Sequence, residues 1–310
     1  MLLEVSVPGT SANLGPGFDA LGLALDLRTR ATLEIPAAQP GVRVIGRDAH
    51  ILGRTRNLVE DGILHYLMLV DRTLPPYALL VDNRLPVARG LGGSAAAVVA
   101  GLALAAAALG HNPDPARLLP LAVAMEGHGD NVAAALFGGL VVVWGEGKAM
   151  HARSLPIAAS LQGVVFIPER SSSTKAARAI LPKQFSRSDA AYNIARTALL
   201  VDALREGRAP DLREAMCDRL HQPYRLPALP HAPLLDAAYA AGAHGAVLSG
   251  AGSSLLAICD ATTASAVAAA MSSRAAELGV VGETVPLAID RRGLSLVVNG
   301  VPHHAGVAVS

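Results

Sequence analysis

Aromatic side chains are scarce, 3% of 310 residues, so a core built on stacked rings is excluded. The interior must come mainly from Ala, Leu and Val, and apolar residues in total reach 52%. Cysteine is nearly absent. Cys217 and Cys259 are too few for a disulfide framework and show no metal-ligand spacing, so both are expected as reduced thiols of a cytosolic protein. Charge of one sign is missing too: the net charge is +1 with no long like-charged run, and the basic stripe of a nucleic-acid binder is not there. No apolar run reaches the roughly 20 residues a bilayer requires. The longest, Ala95 to Leu109, stops at Gly110 with Asn112 and Pro113 just beyond, which reads as a buried helix with a glycine stop and predicts no membrane partner. The opening MLLEVSVPG has neither a basic start nor an apolar stretch after it, so no secretory signal is expected and the protein is placed in the cytoplasm.

What is present alternates between strand and helix patterns. Glu4 to Pro8 reads as a strand, followed by a Gly/Ser/Asn/Pro-rich loop from Gly9 to Gly17. Two further short strands are predicted at Leu21–Leu27 and Ala31–Ile35. A helix follows over Asn57–Val70, where Leu58, Ile63, Leu67 and Val70 share a face. A strand at Leu79–Val81 leads into a glycine loop and the alanine-rich helix. Asp114 before Pro115 is a helix start by composition, and the helix runs to Met125. A short Asn131–Leu136 segment precedes a buried strand over Gly138–Trp144. The polar stretch Glu146–Pro156 lacks periodicity and marks the division between residues 1–152 and 153–310. Beyond it come a strand (Gly163–Ile167), helices near Thr174–Ile180, Ala190–Arg205 and Asp211–Asp218, and a Pro-rich turn. The chain then reads as helix, strand, strand, helix and strand to Ala288. Such an alternation points to an α/β or α+β sandwich.

The strongest local signal runs from Pro86 through Val87, Ala88, Arg89, Gly90, Leu91, Gly92, Gly93 and Ser94 to Ala95 and Ala96. Three glycines in four positions let the backbone turn sharply and present bare N–H groups, and the helix behind them adds the positive end of its dipole. No Lys-Ser/Thr pair follows, so this is not a Walker A loop. By itself the loop is equally a tight connection or an anion site.

The same segment resembles the nucleotide loop, Pro-x-x-x-Gly-Leu-Gly-Ser-Ser-Ala-Ala, of the galactokinase, homoserine kinase, mevalonate kinase and phosphomevalonate kinase superfamily. Gly93 stands where the first Ser is usual. Val7 to Asp19 (VPGTSANLGPGFD) resembles the first motif of that superfamily, with Gly9 for a usual Ala, and Leu248 to Ser254 (LSGAGSS) resembles its third. Glu126–Asn131 (EGHGDN) and Asp218–Arg225 (DRLHQPYR) are similar to segments of its homoserine kinases, with Gly129 in place of Pro. The resemblance implies an α+β, two-domain small-molecule kinase fold. Residues 1–152 would be like ribosomal protein S5 domain 2, residues 153–310 ferredoxin-like, with the site in the cleft between. It also implies ATP and Mg²⁺, homoserine as the small-molecule substrate, a role in threonine biosynthesis and a homodimer.

Roles carried over by that resemblance are specific. Residues Pro86 to Ala96 would hold ATP, with Ser94 and Glu126 on Mg²⁺, a normal hydroxyl and carboxylate set. Arg178 and Arg225 would bind a substrate carboxylate through planar guanidinium groups. Asn13 and Asp19 would meet the ammonium and hydroxyl, and Thr174, His128 and Gly250 would line the pocket. Asp130, Asn131 and Glu126 form the catalytic group, with Asp130 open as a base. Plainer readings stand beside these. Asn13 and Asp19 also suit local Asx turns, His128 suits a bond to a carbonyl, the two arginines suit a surface, and Glu126 suits a solvated helix end. The rival functions are a mevalonate- or sugar-type kinase of the same superfamily and a non-catalytic ligand-binding regulator on the same scaffold.

Overall fold

The computed structural model describes residues 1–54 and 56–303. In chain order its elements are β1 (Leu2–Ala12), β2 (Leu21–Glu34), β3 (Gly41–Gly46), α1 (Ala49–Leu52), α2 (Leu58–Leu69), β4 (Ala78–Asn83), α3 (Gly93–Ala108), α4 (Pro115–Glu126), α5 (Asp130–Phe137), β5 (Leu140–Trp144) and β6 (His151–Leu155). They continue with β7 (Leu161–Pro168), α6 (Thr174–Ala179), α7 (Arg187–Glu206), α8 (Ala209–Ala215), α9 (Gln222–Arg225), α10 (Leu234–Ala240), β8 (Gly245–Leu248), β9 (Leu255–Asp260), α11 (Ala264–Glu277), β10 (Gly282–Leu287), β11 (Ser295–Val298) and β12 (Val301–His303).

Two sheets carry the fold. The first has the order β12-β11-β1-β2-β4-β3, with β5 and β6 joined to the end of β2. The second has the order β10-β7-β9-β8, antiparallel throughout. Strands and helices β7, α7, β8, β9, α11 and β10 trace a β-α-β-β-α-β path, which is the ferredoxin-like arrangement the sequence resemblance implies.

Small residues shape the first core. The helix α3 has eleven of its sixteen residues buried. It crosses α2 at Gly62 and Gly101, so closely that a Cβ on Gly62 would lie 3.0 Å from the Gly101 Cα. Backbones this near each other leave no room for rings, which accounts for the aromatic-poor composition.

Several segments differ from expectation. β1 does not end at Pro8; Gly9–Ala12 pair with Gly22–Leu25 after a register shift. That extension brings Thr10 and Asn13 up to the cleft. The two short strands predicted between residues 21 and 35 are one strand, β2, because the polar residues between them find partners. Arg28 pairs with Asp290 and donates to the carbonyls of Ser6 and Gly293. The division expected at 152/153 falls inside β6, whose Leu155 pairs with Leu140 of the first sheet. The first sheet also takes back β11, through pairs such as Val5 with Leu296, so residues 295–303 return to the N-terminal sheet. Long-range pairing of this kind leaves no local mark in composition. Residues 304–310 of the expected second unit lie outside the described residues. No helix among the described residues is long and apolar enough to cross a membrane.

Candidate active site

The glycine loop connects β4 to α3 and is pinned by its carbonyls. Thr10 N donates to Leu91 O (3.0 Å), the Ser249 hydroxyl to Gly90 O (2.7 Å), Ser254 N to Arg89 O (3.1 Å) and Ser172 N to Ala88 O (2.8 Å). The amides of residues 90–95 have no hydrogen-bond acceptor among the described residues and gather at the start of α3. Carbonyls turned into the protein and amides left free make an anion cradle. Glycine is required here by contact. A Cβ on Gly90 (φ +76°) would stand 2.4 Å from Ser249 O, and one on Gly92 (φ +64°) 1.9 Å from the Thr10 hydroxyl. Gly93 differs, since a Cβ there finds nothing nearer than 3.7 Å.

At one side of this cradle α4 ends on Glu126, with Gly127 in the left-handed conformation as its C-cap. The Ser94 hydroxyl donates to Glu126 Oε2 at 2.7 Å, so the hydroxyl and carboxylate meet at the cradle's edge. No group of three or more His, Cys, Asp or Glu side chains placed to hold a metal ion exists among the described residues. A pair of this type suits a divalent cation that takes its remaining ligands from phosphate and water, the ordinary habit of Mg²⁺.

The helix α5 begins at the opposite wall. Gly22 of β2 lets that strand approach so closely that a Cβ would lie 2.3 Å from Asp130 O. Asp130 is 2% exposed, and its Oδ1 accepts the Asn131 N–H at 2.7 Å. Burial pushes its carboxyl above the ordinary range; His128 opposes this, nearby Asp19 adds to it, and the Asn131 N–H and Arg178 oppose it. His128 Nδ1 is buried without a partner among the described residues, so the plain reading of a ring satisfied by a carbonyl does not describe that atom there.

The remaining wall is polar and paired. Asn13 and Asp19 both have positive φ, 70° and 55°, as short polar side chains tolerate. Asn13 accepts from Asp19 N (3.0 Å) and donates to Gly250 O (2.9 Å). Arg178 on α6 meets both oxygens of Asp19, at 2.6 and 3.0 Å. Arg225, 3% exposed, donates to Ala177 O and Gly250 O and faces His221 Nδ1 at 3.3 Å. His221 Nε2–H in turn donates to Gly15 O at 2.8 Å. Burial depresses the pKa of that ring, Asp218 and the Gly15 bond working against the shift. Both guanidinium groups lie over the Phe18 ring, Arg178 at 5.7 Å and Arg225 at 5.5 Å from its centroid.

One cleft of about 280 Å³ is lined by Asn13, Pro86 to Ser94, Glu126, His128, Asp130, Asn131, Thr174, Arg178, Arg225 and Gly250. Asp19 borders it through Arg178. Ala95 and Ala96 do not line it; both are fully buried against the first core, where their side chains anchor α3. The plainer alternative of a surface position does not describe Arg225, which is buried, whereas Arg178 is half-exposed. Sequence reasoning missed the far end of the cleft, formed by Thr29, Leu52, Asn57, Leu58 and Asn83. It also missed Asp48, whose carboxylate accepts Val87 N (2.9 Å) and Arg89 (3.2 Å). Of these, Asn57 alone carries a local signal, as the side-chain cap of α2.

A phosphate-type cradle, a carboxylate–hydroxyl pair and a charged polar wall, set where two α+β sheets meet, define a small-molecule kinase. Residues 57–139 match the GHMP kinases N terminal domain and residues 200–277 the GHMP kinases C terminal domain; the chain belongs to the GHMP kinase family. It is 41% identical to a homoserine kinase of Synechocystis over 94% of this chain and 97% of the relative. It is 39% identical to one of Thermosynechococcus vestitus over 96% and 99% respectively. The crystal structure of homoserine kinase from Cytophaga hutchinsonii superposes with a TM-score of 0.85 at 29% identity, over 96% of this chain and 97% of that one. A mevalonate kinase of L. major shares the fold at a TM-score of 0.69 and 19% identity, over 90% and 94%.

Proposed function

We propose that the chain transfers the terminal phosphoryl group of ATP to the side-chain hydroxyl of homoserine. The observation that carries this reading is the placement of two guanidinium groups, Arg178 and Arg225, in the lining of the cleft that begins at the glycine cradle, with the Asp19 carboxylate paired to Arg178 at its border. The full-length similarity to homoserine kinases supports it.

A zwitterionic amino acid presents one carboxylate and one ammonium. Arg225 is aimed by its bonds to Ala177 O and Gly250 O, and Arg178 by Asp19, so both can turn charge-assisted hydrogen bonds on the carboxylate. Asp19 and the Asn13 side chain face the ammonium. The hydroxyl then points along the cleft towards Asn131 and the free amides of the cradle, which hold the triphosphate. The apolar and amide-bearing far end, with Leu52, Leu58, Asn57 and Asn83, takes the base.

Phosphoryl transfer asks for alignment and charge neutralisation more than covalent help. The loop amides and the α3 dipole supply part of that neutralisation from groups already fixed in place. Ser94 and Glu126 would hold Mg²⁺, which supplies further neutralisation of phosphate charge when bound. Asp130 already gives one oxygen to the Asn131 N–H, and we read it as shaping the acceptor side rather than acting as the dedicated base.

The test is ADP release from purified protein with MgATP and, in turn, homoserine, threonine, mevalonate or galactose. Homoserine is expected to give the highest kcat/KM. A higher value for mevalonate or galactose would replace the acceptor assignment while leaving the family unchanged.

A further inference from the structure

Thr10 lies outside the cleft lining and is 0% exposed, yet it touches both halves of the transfer site. Its N–H donates to Leu91 O at 3.0 Å, which fixes the crest of the glycine loop. Its hydroxyl donates to Asn131 Oδ1 at 2.8 Å, which fixes the first turn of α5. Between the two, Gly92 is pressed against the same hydroxyl; a Cβ there would be 1.9 Å from Thr10 Oγ1 and 3.0 Å from Asn131 Oδ1. One buried residue on β1 therefore ties the cradle to the helix that carries Asn131.

We propose that Thr10 is a positioning residue: its hydroxyl holds the Asn131 amide with the oxygen turned into the protein and the Nδ2 donors turned to the cleft. Two contacts set that orientation. The hydroxyl donates to Oδ1, and Asn131 Nδ2 stands 3.4 Å from Asp130 Oδ1. Rotating the amide by half a turn would bring Oδ1 against that carboxylate oxygen, two acceptors facing each other. Asn131 thereby offers hydrogen-bond donors to an oxygen of the phosphoryl group in flight and no acceptor for the proton of the hydroxyl. The inference rests on the reading of Asn131 as part of the transfer site and adds the group that orients it.

The hydroxyl sits inside a region where small displacements of a reacting group are costly, on the order of 10²-fold in rate for about 1 Å. The experiment uses the full chain with MgATP and homoserine. Thr10→Val keeps the shape and deletes the hydroxyl; it is expected to lower kcat by roughly 10- to 100-fold with both KM values within about threefold. Thr10→Ser keeps the hydroxyl and is expected to stay within about threefold of the parent kcat. In an Asn131→Ala background, Thr10→Val is expected to add almost nothing, since the group it orients is gone. A melting curve checks folding, and Thr10→Ala deletes the same hydroxyl should valine disturb the packing. Parent-like kcat in Thr10→Val, failure of Thr10→Ser to retain activity, or full additivity with Asn131→Ala would each overturn the proposal. An Asn131→Ala enzyme with parent-like kcat would instead remove the site reading beneath it, so the two failures are told apart.

Discussion

Arg178 and Asp19, 159 residues apart, meet at the border of the cleft as a two-pronged ion pair, Nη2 to Oδ1 at 2.6 Å and Nη1 to Oδ2 at 3.0 Å. Their side chains are 38% and 39% exposed, so the pair adds only about 0–1 kcal/mol to stability. Replacing either residue should therefore harm recognition far more than folding. Arg178→Lys, which loses the planar fork, and Asp19→Asn are each expected to raise the KM for homoserine about tenfold or more, an energy of roughly 1.4 kcal/mol. The melting temperature should change little. Steady-state kinetics beside a thermal melt checks this, and an unchanged KM in both variants would refute it.

The glycines of the cradle should separate into two kinds. Gly90→Ala places a Cβ against Ser249 O and demands a positive φ, so a loss of stability of about 1–3 kcal/mol and a weakened grip on nucleotide are expected. Gly93→Ser meets only ordinary contacts and opens α3, where a Gly is the poorer residue. That variant should fold with stability equal to or up to about 0.5 kcal/mol above the parent and keep its turnover. Urea titration and nucleotide binding measure both. A collapse of Gly93→Ser would mean that the amide at this position tolerates no side chain for a reason other than space.

Glu126→Gln keeps the size of the side chain and its acceptor for the Ser94 hydroxyl, and removes the charge. With Mg²⁺ held by that carboxylate, kcat/KM should fall on the order of 10²-fold. The magnesium concentration giving half-maximal rate should rise as well. Turnover followed against magnesium concentration decides it, and an unaltered magnesium dependence would assign the ion elsewhere.

Asp130→Asn tests charge against shape. Burial raises the carboxyl above its ordinary value of 3.8, so between that value and the raised one the folded chain holds more protons than the unfolded chain. Stability consequently declines as pH rises through that window and remains lower above it. Removing the charge should make the variant melt higher than the parent near neutral pH, and the gap should close as pH is lowered towards 3.8. The same change should lower kcat by less than about 10²-fold and raise the KM for homoserine, as fits a residue that is not the general base. A larger fall in kcat with KM unchanged would identify a base.

Much of the site was legible because it is local. The loop from Pro86 to Ser94 turns through positive φ at Gly90 and Gly92, and glycines before a small-residue helix stand out in a string. Asp114 and Pro115 announce α4 in the same way. The segment Glu126–Asn131 places a carboxylate, a histidine and an amide at the junction of two helices, again within a few residues. What was not legible depends on contact. Asp48 looked like any loop aspartate until Val87 and Arg89 were seen on it. The burial of Arg225 had no local sign, since it depends on the contact with the carbonyl of Ala177 in α6.

Composition and spacing alone determined that this chain would be alanine-packed, built from alternating strands and helices, and equipped with a sharp glycine turn before a helix, since those properties follow from backbone freedom and hydrophobic periodicity inside short windows. Tertiary structure decided which strands close each sheet, why Gly92 admits no side chain, and how Asp19 finds Arg178. Those outcomes arise where segments far apart in the chain meet, and the free energy of such meetings belongs to the pair and is written in neither segment.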